Sequence, residues 1–217
     1  MKKDFTELVF ILDRSGSMSG LESDTIGGYN AMLEKQKQQP GEAVMTTVLF
    51  DDRYELLHDR INLRGVAPIT DKEYFVRGTT ALLDAIGKTI YKIINVQKHT
   101  AENERAEQVL FVITTDGMEN ASREFSYEKV RQMIEHQKSK YGWEFIFLGA
   151  NIDAIATAER FGISHDRAAN YNPDSAGTLL NYEVIGEAVS CFRASHKISE
   201  NWKERIEKDF KKRGSKK

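Results

Sequence analysis

The 217 residues suffice for one α/β domain with a sizeable core, with or without an appendage. Hydrophobic residues at 40% and charged residues at 29% are those of an ordinary soluble globular chain, and a net charge of −2 gives no global argument for nucleic-acid binding. The single Cys191 excludes an internal disulfide and a multi-thiolate metal site, and no run approaches the ~18 apolar residues of a membrane span, so cytoplasmic residence is the expectation.

The first expected element is a strand over 5–12, whose run Leu8-Val9-Phe10-Ile11-Leu12 does not alternate and so reads as buried on both faces. A loop, Asp13-Arg14-Ser15-Gly16-Ser17-Met18, follows it. Ile26, Tyr29 and Leu33 then recur at helical spacing, predicting a helix over 22–38 that ends at Pro40-Gly41. Residues 44–50 and 53–58 read as an antiparallel edge hairpin turning at Asp51-Asp52. Residues 59–78 read as irregular, with a short helix near 71–75. The stripe Leu82, Ile86, Ile90, Ile93, Ile94 predicts a helix opened by Gly78-Thr79-Thr80 and running to about 97.

Val109 to Thr114 is an uninterrupted strand ending in Thr115-Asp116-Gly117. Ser126 is an N-cap for a helix to about 140, and residues 143–148 read as another buried strand. Asn151 is the expected cap of a short helix to about 161, with Asp153 as a charge favoured by its dipole. A short strand over 168–171 follows. Asn172-Pro173 is the expected cap and first turn of a helix to about 195, where Cys191 shares the apolar side with Ala188 and Phe192 as a buried, inert thiol. Strands alternating with helices predict a mainly parallel, doubly wound sheet with one antiparallel edge strand and helices on both faces.

The chemistry concentrates at strand ends. Asp13, Ser15 and Ser17 are spaced by two, which turns them to one side of an extended or looped backbone. If the strand ending at Thr114 neighbours the first, Asp116 emerges beside Asp13, and Thr80 enters from a third loop. Two carboxylates and three hydroxyls are hard oxygen donors suited to Mg2+ or Mn2+. Their charge roughly balances a dication and leaves a coordination position open, which an Asp or Glu from a partner protein would complete. Ligands of open α/β sheets lie outside the carboxyl ends of strands, where these residues stand.

Asp13-x-Ser15-x-Ser17, Gly78-Thr79-Thr80-Ala81-Leu82 and Thr115-Asp116-Gly117, in that order, resemble the von Willebrand factor type A domain. The resemblance covers about 1–195 and is nearest to stand-alone bacterial members. It implies a doubly wound fold and a metal-ion-dependent adhesion site formed by Asp13, Ser15, Ser17, Thr80 and Asp116. It also implies metal-mediated protein binding without catalysis. Thr79 stands where many members carry glycine, and Thr80 is the threonine assigned to the metal. Asp84 and Asn120, near the motifs, are candidates for orienting a ligand or a metal-bound water, with helix-surface or turn roles as the alternatives.

No histidine among His58, His99, His136, His165 and His196 falls in a motif loop, and no His–Cys or His–Ser pairing supports nucleophilic catalysis. A Mg2+-dependent phosphate hydrolase using Asp13 or Asp116 is the enzymatic alternative, but no Gly-Lys-Ser/Thr phosphate loop accompanies it. Asp51 and Asp52 read as hairpin-turn residues rather than ligands of a second cation. In the segment 196–217, Ile198, Trp202, Ile206 and Phe210 recur every four residues among basic and acidic ones. This predicts a basic amphipathic helix with a frayed end, docked on its own domain or serving as a metal-independent contact for a partner.

Overall fold

The computed structural model describes residues 1–214. In chain order the strands are β1 (Lys2–Asp13), β2 (Glu42–Phe50), β3 (Tyr54–Asn62), β4 (Ala106–Thr115), β5 (Glu144–Gly149) and β6 (Ala168–Asn170). The helices are α1 (Glu22–Lys37), α2 (Leu82–His99), α3 (Tyr127–Tyr141), α4 (Ala154–Arg160), α5 (Ser175–Ser195) and α6 (Glu204–Gly214). One six-stranded sheet has the order β3-β2-β1-β4-β5-β6. All neighbours are parallel except β2 and β3. This is the doubly wound sheet with an antiparallel edge that the alternation of elements predicts.

The apolar run of β1 is divided between two cores. Leu8, Phe10 and Leu12 face α1 and α5, whereas Val9 and Ile11 face α2 and α3. Both faces of a central strand are covered, so alternation is absent where burial is two-sided. On α1, Tyr29, Met32, Leu33 and Gln36 are buried at helical spacing. Gly28 allows the approach of α5, because a Cβ there would meet the Tyr182 ring at 2.6 Å.

Several expected boundaries move for local reasons. The N-termini of α4 and α5 are capped by aspartates: Asp153 accepts from the Ala156 N–H and Asp174 from the Gly177 N–H. Asn151 and Asn172-Pro173 therefore lie before the helices rather than at their caps, and Asn151 adopts a left-handed φ of 53°. Ser126 caps α3 through the Lys129 N–H. Residues 71–73 form a turn and 74–75 are irregular, with no helix there. Cys191 is half-buried, not enclosed, with its Sγ 3.6 Å from the Ser195 hydroxyl.

The C-terminal segment packs on the domain. Ile198, Trp202 and Ile206 join the core of β1, α1 and α5, and helix begins only at Glu204. The Trp202 indole N–H donates to the Asp166 carbonyl at 2.7 Å, and the Lys203 ammonium donates to the carbonyls of His165 and Ala168. Arg205 pairs with Glu183 and Glu187 of α5, and Arg213 with Asp174 and Asp209. Lys203, Arg205 and Arg213 thus have partners within the chain, and Ser215–Lys217 of the expected frayed end lie outside the described residues. No helix among the described residues is long and apolar enough to cross a membrane.

Candidate metal centre

The parallel pairing of β1 and β4 sets Leu12 beside Thr114, so Asp13 and Asp116 leave adjacent strands at the same edge of the sheet. After Asp13 a single 3-10 turn, Gly16–Met18, folds the loop back. Asp13 is buried, and both carboxylate oxygens are held: Oδ1 accepts the Ser15 N–H at 2.7 Å, and Oδ2 accepts the Thr115 hydroxyl at 2.5 Å. The Tyr74 hydroxyl donates to the Asp13 carbonyl at 2.5 Å. The loop is therefore fixed from three directions.

The hydroxyls converge. Ser15 Oγ lies 3.0 Å from Ser17 Oγ, and Thr80 Oγ1 donates to Ser15 Oγ at 2.9 Å. Thr80 is buried while Thr79 is exposed, so it is Thr80 that turns inward. Gly117 closes over the group: a Cβ on it would come within 2.8 Å of Ser17 Oγ and 2.9 Å of Thr80 Oγ1. A larger residue would fill the cradle these hydroxyls form.

Asp116 supplies the charge. It is 1% exposed, and neither carboxylate oxygen has a hydrogen-bond partner. Burial pushes its pKa up to about 6, with the Asp13 carboxylate adding to the rise. The Ser17 hydroxyl eases this in part but stands outside hydrogen-bond geometry. Burial also raises Asp13, and the bonds from Thr115 and Ser15 offset it. Two buried carboxylates and three clustered hydroxyls, with one carboxylate unpartnered, fit a hard divalent cation. The residues that could hold it are Asp13, Ser15, Ser17, Thr80 and Asp116.

The two neighbouring candidates are placed differently. Asn120 touches the group: its Oδ1 accepts the Thr80 N–H at 2.9 Å, and its own N–H donates to the Thr80 carbonyl at 3.0 Å. Asp84 faces away, its carboxylate taken up by the backbone N–H groups of Arg123, Glu124 and Phe125, each at 2.9 Å. It anchors the loop after β4. Glu119 helps by accepting the Leu83 N–H at the start of α2. Thr115, Tyr74 and Glu119 also support the site, though nothing in the sequence around Tyr74 or Glu119 marks them. Only Thr115, inside the Thr-Asp-Gly motif, carried a local signal.

A doubly wound sheet with these three loops at its carboxyl edge is the von Willebrand factor type A fold. Solved structures with which the chain shares it include proximal thread matrix protein 1 from the mussel byssus, with a zinc-occupied metal-ion-dependent adhesion site. That match has 14% identity, covers 85% of this chain and 46% of that one, and has a TM-score of 0.58. A von Willebrand factor type A protein from Catenulispora acidiphila matches at 12% identity over 85% and 42% of the two chains, with a TM-score of 0.60. Manganese-loaded Plasmodium vivax TRAP protein matches at 18% identity over 83% and 73%, with a TM-score of 0.59. The chain spans under half the length of the mussel chains it matches. No protein-family model and no curated protein matches the sequence.

Proposed function

We propose that the protein is a divalent-cation-dependent binding module, with Asp13, Ser15, Ser17, Thr80 and Asp116 holding Mg2+ or Mn2+. The observation that carries this is Asp116, a buried carboxylate whose two oxygens lack any partner, together with three hydroxyls linked through Ser15. An orphaned buried anion is costly unless a cation meets it. Metal-loaded sites in the mussel and Plasmodium proteins of the same fold support the reading. When bound, the cation supplies a Lewis-acidic position for an oxygen anion from outside.

This chain's residues position and neutralise. Asp13 and Asp116 bring two negative charges, the hydroxyls bring neutral donors, and Gly117 keeps side chains off the site. An acidic side chain of a partner protein is the ligand that suits such a near-neutral, partly clothed dication. We read no catalytic role. His58, the one buried histidine among the described residues, bonds the Thr47 hydroxyl within the sheet, and burial lowers its pKa.

Titration calorimetry with Mg2+ and Mn2+ on the wild type and on Asp13→Ala tests the site, with uptake expected only for the wild type. A pull-down in Mg2+ against EDTA tests the partner. Capture that survives EDTA, or Asp13→Ala in a folded protein, would overturn the reading. Turnover of phosphate esters with Mg2+ that is lost in Asp13→Asn would favour the hydrolase instead.

A further inference from the structure

The residue following Asp13 is the largest fully buried side chain among the described residues, and it is an arginine. Arg14 Nε donates to Asp51 Oδ2 at 3.0 Å, Nη2 to Glu55 Oε2 at 2.6 Å, and Nη1 to the Glu73 carbonyl at 3.2 Å. Asp51 is equally buried and is shared. Arg77 Nε donates to the same Oδ2 at 2.7 Å, while Oδ1 accepts the Arg53 N–H at 2.8 Å. The Asp51 carbonyl accepts the Ala81 N–H at 2.8 Å, next to Thr80. The two guanidinium groups flank the Phe75 ring at 5.2 and 5.1 Å from its centre.

Asp51 therefore joins the loop that carries Asp13, Ser15 and Ser17 to the loop that carries Thr80. Two backbone bonds cross the same gap, from the Arg77 N–H to the Arg14 carbonyl at 3.0 Å and from the Gly16 N–H to the Gly78 carbonyl at 3.1 Å. Arg14 and Asp51 are buried as an oppositely charged pair, with the part-exposed Glu55 and Arg77 completing it toward the surface, which makes their burial tenable. A hairpin turn alone needs none of this: an Asp in a turn is normally exposed and bonds its own backbone.

We propose that Asp51 is the positioning residue of the cation site, clamping the Asp13 loop to the Thr80 loop through Arg14 and Arg77. This rests on the cation-site reading above. The clamp sets the distance between the Ser15 and Thr80 hydroxyls before any cation arrives, so less ordering remains to be done on binding. Supports of metal ligands typically change affinity by roughly 10–100-fold when removed.

The test uses the full chain with Asp51→Asn, which keeps the shape and removes the charge, and Arg77→Gln, whose side chain is partly exposed. Two readouts are taken: amide hydrogen exchange in EDTA and Mn2+ affinity by calorimetry. Expected in both variants is exchange at Gly16 and Arg77 faster by about tenfold, with Ile163, far from the site, unchanged. Mn2+ affinity is expected to fall by about tenfold. Unchanged exchange at Gly16 and Arg77 overturns the clamp. Faster exchange with wild-type Mn2+ affinity overturns its role at the site and leaves a structural ion pair. A wild type that takes up no Mn2+ overturns the cation reading, and the exchange data then decide the clamp by themselves.

Discussion

Asp13 and Asp116 leave adjacent parallel strands side by side, yet they are held in opposite ways. Asp13 has both oxygens bonded to Ser15 and Thr115, whereas both oxygens of Asp116 are buried without a partner. One carboxylate is a fixed strut and the other is stored charge. Burial raises the pKa of both, but only Asp116 lacks a hydrogen bond to offset it.

Stability of the metal-free protein should depend on pH through Asp116. Its pKa is about 6 when folded, above the ordinary 3.8, so the folded state holds the proton over that interval while the unfolded state releases it. In EDTA, stability contributed by protonated Asp116 is present below about pH 4 and is lost as pH rises through about 6. The loss is about 2–3 kcal/mol. Urea denaturation across pH 4–8 checks this, and added Mn2+ should reverse the trend above pH 6.

Asp116→Asn removes the uncompensated charge at nearly constant shape. In EDTA at pH 7.5 it should raise Tm by roughly 4–8 °C, the equivalent of about 2 kcal/mol in a chain of this size. The same variant should show no thermal shift on adding Mg2+ or Mn2+. Calorimetric scans with and without the cation measure both.

Asn120 and Asp84 should separate cleanly. Asn120→Ala releases the Thr80 N–H and should weaken Mn2+ affinity by about tenfold with a modest change in Tm. Asp84→Ala leaves the N–H groups of residues 123–125 without their shared acceptor and should cost about 2–3 kcal/mol of stability. Its effect on Mn2+ affinity should be smaller than that of Asn120→Ala. Paired melts in EDTA and Mn2+ titrations decide.

Trp202→Ala should cost about 3 kcal/mol, since it deletes a large buried ring and leaves the Asp166 carbonyl without its donor. A chain ended after Lys197 should lose more and bind a hydrophobic dye, because Ile198, Trp202 and Ile206 all leave the core. Equilibrium unfolding in urea measures each. A truncated chain as stable as the full one would show that the C-terminal segment is an accessory.

The sheet and the converging loops were legible in the sequence because both depend on short-range signals. Two-sided burial shows as an unbroken apolar run in β1 and β4, and a loop at the carboxyl end of such a strand shows as Asp and Ser at spacing two. What could not be read is what holds the loops together. Asp51 looks like any hairpin-turn aspartate until Arg14 and Arg77, 37 and 26 residues away in sequence, are folded onto it. Asp84 carries the opposite lesson: nearness to Thr80 in sequence suggested a role at the site, but the first turn of α2 turns its carboxylate toward residues 123–125. Helix caps shifted by two residues because Asp153 and Asp174 competed with nearby asparagines and won through geometry.

The two margins of the sheet are unequal. At the start of β6 the Lys203 ammonium takes the Ala168 carbonyl, and just before the strand the Trp202 indole takes the Asp166 carbonyl, whereas β3 is the opposite edge strand, with a left-handed kink at Arg60. A ribbon that grows by adding chains edge to edge requires two free margins per molecule. With the margin at β6 partly covered by Trp202 and Lys203, such accretion is disfavoured on that side.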